Sequence, residues 1–328
     1  VQFRSRSRDE PPEEERSVQD SDGHNNGTKL DIDALLDEVD DLPSLPQVVT
    51  RVLQATNDPN CSAREIGRLI STDQVLTSKV LKLANSAFYG LPRKVGTVSD
   101  AVVLLGMNTI RGLGLAVSTY DILNREYAGY WLERGQLWRH SVAVALCSQL
   151  VAKTRKLPAS EEVFVAGLLH DIGKVVLSAH VGPRFSSIFD MANERSISFL
   201  EAEREILGYD HAQVGGRIAR KWNLPDTLVE PIEFHHEPEA APEIRPTLAA
   251  VHVADIICLT LGLGVGGDGL LYEFSEKVGE YLGLDEAATQ KLTDGMIGVV
   301  SGSMPLFDMN ALLSEGTDLR SPGEPRAA

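Results

Sequence analysis

The sequence predicts an all-α fold of a dozen or more short helices arranged as two packed helical lobes. Three observations carry that prediction. Apolar residues recur at helical spacing through the middle of the chain, helix-start signals precede several of these runs, and strand-like alternation is scarce. Pro46 opens the first series, with Val48, Val49, Val52 and Leu53 following at helical intervals. Ser62 with Glu65 is a capping-box pattern ahead of Ile66, Leu69 and Ile70. Asp73 stands where it can cap the next helix, whose apolar side carries Val75, Leu76, Val80, Leu81 and Leu83. Ser198 with Glu201 repeats the capping box, and Pro225 begins a helix that carries Leu228 and Ile232 into His235 and His236. A break near residues 124–130 separates a first lobe, 32–123, from a second, 131–313. Residues 1–28 and 314–328 have few large apolar side chains, so they are expected to be a disordered N-terminal tail and a flexible C-terminal tail.

Composition bounds the function classes. Of 328 residues, 43% are apolar, enough for a sizeable core, while 31 Lys and Arg against 47 Asp and Glu give a net charge of -16. Such a charge repels nucleic-acid backbones and anionic membranes at long range. There is no basic stripe or zinc-finger spacing either, so neither nucleic acid nor membrane is expected as a partner. One small phosphorylated ligand in a locally positive site remains compatible with that charge. Cys61, Cys147 and Cys258 form no C-x-x-C pair and read as core residues of a protein in a reducing cytosol. No segment is expected to span a bilayer, because the best run, 251–267, is interrupted by Asp255 and rich in glycine. There is no apolar signal-peptide core, and a cytoplasmic location is expected.

The chemistry concentrates in the second lobe. His140, His170, His211, His235 and His236 lie in the helix-like stretches WRHSVAVA, LLHDIGK, DHAQVGG and EFHHEPE, joined by Asp171 and, in HVADII, Asp255. Imidazole nitrogens and carboxylate oxygens are good ligands for Fe, Mn, Zn or Ni. A histidine alone on a helix is more often a hydrogen-bonded or surface residue. That reading is kept for His180 and His252, and His24 has no role. LLHDIGK differs: it sets a carboxylate directly after a buried apolar turn, where burying it unpaired is costly and a metal would remove the cost.

LLHDIGK resembles the signature of the HD phosphohydrolase superfamily, which binds metal through a first His, a His–Asp doublet and a late Asp. His140, His170–Asp171 and Asp255 match that order. His211 and His235–His236 match the extra ligands of the HD-GYP branch, which hydrolyses cyclic di-GMP. Lys174 matches the lysine of that branch's HDxGK motif, expected to contact a substrate phosphate. In the first lobe LPSLPQVVTRVLQATND, STDQVLTSKVLKLANSAFYG and AVVLLGMNTIRGLGLAVS resemble the HDOD domain, and the resemblance covers 42–237. HDOD proteins are bacterial signalling modules that have typically lost part of the HD set, whereas this sequence keeps every position.

The chain departs from HD-GYP in reading PEAAPEIRP after Glu237, with no GYP, and in carrying Gln136 where cluster-forming relatives offer a carboxylate. The resemblance therefore implies two divalent ions and no third. His140, His170 and Asp255 would hold one ion and His211, His235 and His236 the other, with Asp171 between them. Asp171 and Lys174 would be the catalytic residues if the site turns over. Two functions are expected to compete: a signal-transduction protein with a metal site, and a metal-dependent phosphohydrolase acting on a cyclic dinucleotide or another small phosphoester. A signalling protein partner is expected on the first lobe.

Overall fold

Capped, amphipathic segments become helices throughout the computed structural model, which describes residues 47–56, 61–85, 89–158, 162–264, 266–267 and 272–308, with Ile32 and Leu36. The expectations for 1–28 and 314–328 lie outside the described residues. The first helices are α1 (Gln47–Thr56), α2 (Ala63–Ile70), α3 (Gln74–Ala84), α4 (Val98–Leu105) and α5 (Met107–Leu123). Ser62 caps α2 through the Glu65 N–H, and Asp73 caps α3 through the Leu76 N–H, as their spacing predicts. Helix α2 packs on α4, α3 on α5, and α1 on both α2 and α5, around Ile66, Ile70, Val80, Leu83 and Ile110.

The longer series follows: α6 (Gln136–Thr154), α7 (Glu162–Leu169), α8 (Ile172–Val181), α9 (Phe185–Arg195), α10 (Phe199–Leu207), α11 (His211–Lys221), α12 (Asp226–Phe234), α13 (Pro246–Thr260), α14 (Glu276–Leu282), α15 (Glu286–Gly302) and α16 (Met304–Phe307). Among the described residues there is no strand; Tyr127 and Leu132 form an isolated bridge. Helix α13 is buried along almost its whole length, which marks a central helix, and it packs against α6, α7 and α12. Helix α11 lies on α8 and α12, and α5 reaches across to α7. The histidine-bearing ends of these elements therefore meet in the interior.

One expectation is corrected. The run Glu162–Arg195 is helical and apolar enough, by length and composition, to cross a membrane. It escapes a simple reading because Asp171 and Lys174 interrupt its hydropathy. In the fold 78% of its apolar window is buried, and the turn at His170–Asp171 divides it, so the run builds the core.

Candidate metal centre

Each candidate ligand is delivered by a local device. His140 projects from the second turn of α6, and Asp255 from the middle of α13. Helix α7 stops at Leu169, and Asp171 occupies the N-cap position of α8 without capping it through its side chain, which leaves the carboxylate to the interior. Gly173 then lets α8 and α11 touch backbone to backbone: a Cβ there would stand 1.8 Å from the carbonyl oxygen of His211 and 2.7 Å from the Gly215 nitrogen. His211 is the first residue of α11, whose capping box pairs Asp210 with Gln213. His235 and His236 follow the end of α12.

The structure brings all seven residues together. His140 Nε2 lies 3.0 Å from Asp255 Oδ1 and 3.2 Å from His170 Nε2. His170 Nε2 is 3.4 Å from Asp171 Oδ2 and 3.6 Å from Asp255 Oδ1. On the other side, Asp171 Oδ1 is 3.5 Å from His211 Nε2 and 3.7 Å from His235 Nε2. His236 Nε2 lies 3.1 Å from His211 Nε2, and its Nδ1 lies 3.5 Å from Asp255 Oδ2. Asp171 thus turns one oxygen to each half. The halves are His140, His170 and Asp255, and Asp171 with His211, His235 and His236.

The far ring nitrogens fix the tautomers. His140 Nδ1 bonds the Leu263 carbonyl at 2.9 Å, His170 Nδ1 that of Gly167 at 2.7 Å, and His235 Nδ1 that of Ile232 at 2.9 Å. His211 Nδ1 bonds Glu203 at 2.7 Å. A carbonyl or carboxylate only accepts, so each Nδ1 donates, and each ring presents Nε2 to the interior, as a lone pair wherever that nitrogen is unprotonated.

These groups fit divalent ions. Asp171 Oδ1, His235 Nε2, His236 Nδ1 and Asp255 Oδ2 are buried without a hydrogen-bond partner. Such orphaned atoms cost about 1–3 kcal/mol each, more for charged groups. Ligand atoms about 2.0–2.2 Å from one ion stand roughly 2.8–3.6 Å apart at right or tetrahedral angles, close to the separations within each half. Burial and the neighbouring His170 push His235 down to about 3, and burial with His235 holds His236 well below the imidazole range, so both stay neutral. Burial opposes charge on Asp171, but Lys174 and His170 outweigh it and hold the carboxyl well below its usual range. Burial likewise opposes charge on His170, yet Asp171 and Asp255 raise it to about 10, and a metal would take the place of that proton.

The remaining expected residues are also located. Lys174 is 4% exposed and donates to Asp171 Oδ2 at 2.9 Å, with its ammonium 5.7 Å from the centre of the Tyr130 ring. Gln136 accepts from the Glu133 N–H ahead of α6. His180 ends α8. His252 donates from Nδ1 to the His235 carbonyl at 2.6 Å and accepts at Nε2 from the Ser275 N–H at 3.0 Å, so it supports a candidate ligand.

Sequence reasoning missed Glu203 and Tyr272. Glu203 is fully buried and accepts from His211 and from the Tyr130 hydroxyl, and Tyr272 stacks flat on His236 with ring centres 3.7 Å apart. A signal for Glu203 was present: with Phe199 and Leu207 it falls at four-residue intervals along the buried face of α10. Nothing in the sequence around Tyr272 points to a ring of the centre.

Comparison with known proteins agrees with the all-helical fold. The HDOD domain model matches residues 42–238. An uncharacterized protein of Treponema pallidum (strain Nichols) is 28% identical over 225 residues, covering 68% of this chain; the chain spans 43% of that protein. Among solved structures, an HDOD domain protein from Geobacter sulfurreducens superposes with a TM-score of 0.63 at 29% identity, over 87% of this chain and 96% of its own. A protein from Shewanella amazonensis SB2B, provisionally named a phosphohydrolase, gives a TM-score of 0.61 at 27% identity, over 85% and 97%. With a family match over more than half its length and this all-helical architecture, the chain belongs to the HDOD family.

Proposed function

We propose that this chain is a cytoplasmic regulatory protein of signal transduction whose seven converging side chains bind two divalent transition-metal ions. The observation that carries the reading is the set of inward-facing Nε2 nitrogens and orphaned buried atoms arranged on both sides of Asp171. His140, His170 and Asp255 would hold one ion, and His211, His235 and His236 the other, with Asp171 shared. Iron, manganese, zinc and nickel all suit an imidazole and carboxylate set.

The surroundings favour regulation over turnover. His236, the most exposed of the seven, is 9% exposed, and Tyr272 covers its ring. Among the described residues two cavities reach His236: one of about 340 Å³, bordered by Glu201 and Glu273, and one of about 520 Å³, bordered by Glu239, Glu273, Glu276 and Lys277, so that carboxylates outnumber cations at both and oppose entry of an anionic phosphoester. Val103 is 74% exposed and Leu104 44%, on α4 of the first lobe, which suits a signalling protein partner there.

The second reading, a metal-dependent phosphohydrolase, is favoured by Lys174, a buried ammonium beside Asp171. Bound ions would supply Lewis acidity toward a phosphoryl oxygen. Lys174 would then hold Asp171 ionised and oriented, and a cyclic dinucleotide or another small phosphoester would be the substrate.

The test is metal loading followed by a hydrolysis assay on the same sample, with bis(p-nitrophenyl) phosphate and a cyclic dinucleotide. The regulatory reading expects metal uptake without turnover above the metal-free protein. Turnover that requires metal and disappears in Asp171→Ala would establish the enzyme instead. Failure to retain any of the four metals would overturn both readings.

A further inference from the structure

The two halves of the centre are braced differently. In the first half, His140 and His170 are oriented by the main-chain carbonyls of Leu263 and Gly167. In the second half, two consecutive side chains of α10 take part. Glu203, fully buried, accepts the Nδ1–H of His211 at 2.7 Å and its backbone N–H at 3.2 Å, while its other oxygen accepts the Tyr130 hydroxyl at 2.5 Å. These contacts fix the His211 ring with Nε2 toward Asp171.

Arg204, the next residue, reaches the same half by another route. Its Nε donates to Asp210 Oδ2 at 2.5 Å, and its two terminal nitrogens donate to the two oxygens of Glu237 at 2.8 and 2.7 Å. Asp210 immediately precedes His211, and Glu237 immediately follows His236. One planar guanidinium therefore joins the chain neighbours of two candidate ligands that are 25 residues apart, with the geometric specificity of a bidentate pair. No described contact of either residue reaches His140, His170 or Asp255.

We propose that Glu203 and Arg204 are positioning residues that govern occupancy of the His211, His235 and His236 half alone. The proposal rests on the two-ion reading above. Glu203 sets the tautomer and rotation of one imidazole, and Arg204 holds the two ligand-bearing turns at a fixed separation. Such outer partners typically change metal affinity by roughly 10–100-fold.

The test is manganese and zinc titration of the full chain, with metal per chain read by inductively coupled plasma mass spectrometry and folding by circular dichroism. At a concentration that gives two ions in the wild type, Glu203→Ala and Arg204→Ala are expected to hold one. The second dissociation constant should rise roughly 10–100-fold with the first unchanged. Glu203→Gln should recover part of the loss, since its amide oxygen still accepts from His211. Arg204 is partly exposed, so Arg204→Ala keeps the test decisive if Glu203→Ala unfolds. Two ions with unchanged affinity in both variants would overturn the proposal, as would equal weakening of both ions, the mark of a merely structural role. No uptake by the wild type would overturn the two-ion reading, and the brace with it.

Discussion

Gly173 and His211 lie so close that a single methyl group on the glycine would occupy the space of the histidine's carbonyl oxygen, 1.8 Å from a Cβ. The contact sets the distance between α8, which begins beside Asp171, and α11, which begins with His211. Neither partner atom can move by a rotamer change, because both belong to backbone.

Gly173→Ala is therefore expected to destabilise the fold by more than the usual 1–3 kcal/mol or so of overpacking. It should also weaken metal uptake by the half that contains His211. Urea unfolding beside a zinc titration checks this. A stability within about 0.5 kcal/mol of wild type, the range of surface changes, would contradict the backbone contact.

His252 joins a candidate ligand to a neighbouring helix start. Its ring bonds the His235 carbonyl and the Ser275 N–H, and Ser275 both caps α14 and donates to Glu239. His252→Leu would leave the buried His235 carbonyl without this donor, at about 1–3 kcal/mol, and release the part-buried Ser275 N–H from its acceptor. Denaturant unfolding should report that loss, and hydrogen exchange should show reduced protection in Glu276–Leu282. Unchanged exchange there would show that the ring does not anchor the segment.

The fold class was legible because it rests on local signals. Ser62, Asp73 and Ser198 cap as their spacing predicts. The candidate ligands were legible for another reason: the order of His140, His170–Asp171, His211, His235–His236 and Asp255 carries a motif even before the fold brings those residues together. Their partners were less so, since the four-residue spacing of Phe199, Glu203 and Leu207 marks a buried face but not what that face meets. Glu203 sits in the charged run EAEREIL, where Glu201 and Glu205 face solvent, and one more carboxylate looks like another exposed residue. Only packing reveals that it faces His211. The expected phosphate role of Lys174 likewise came from a motif, while its contact with Asp171 follows from helical i,i+3 geometry.

The alkaline limb of stability should carry a contribution from Tyr127. Its hydroxyl donates to the Ile122 carbonyl at 2.6 Å, and burial, opposed by Arg125, pushes its pKa up from 10.0 to about 12. A raised folded-state value favours the protonated phenol in the native state. The contribution is then complete below pH 10 and is lost progressively as pH rises to about 12. That rise corresponds to at most about 2.7 kcal/mol. Denaturation at pH 8 to 12 should show a steeper alkaline loss for the wild type than for Tyr127→Phe, and parallel curves would contradict the burial of this phenol.

The central claim is that Asp171 stands between two metal positions. Anomalous X-ray diffraction from crystals grown with manganese or zinc tests it most directly. Two peaks are expected: one among His140, His170 and Asp255, the other among His211, His235 and His236, each within coordination reach of a different oxygen of Asp171. A single peak served by one oxygen of Asp171, or no peak among these seven residues at saturating metal, would contradict it.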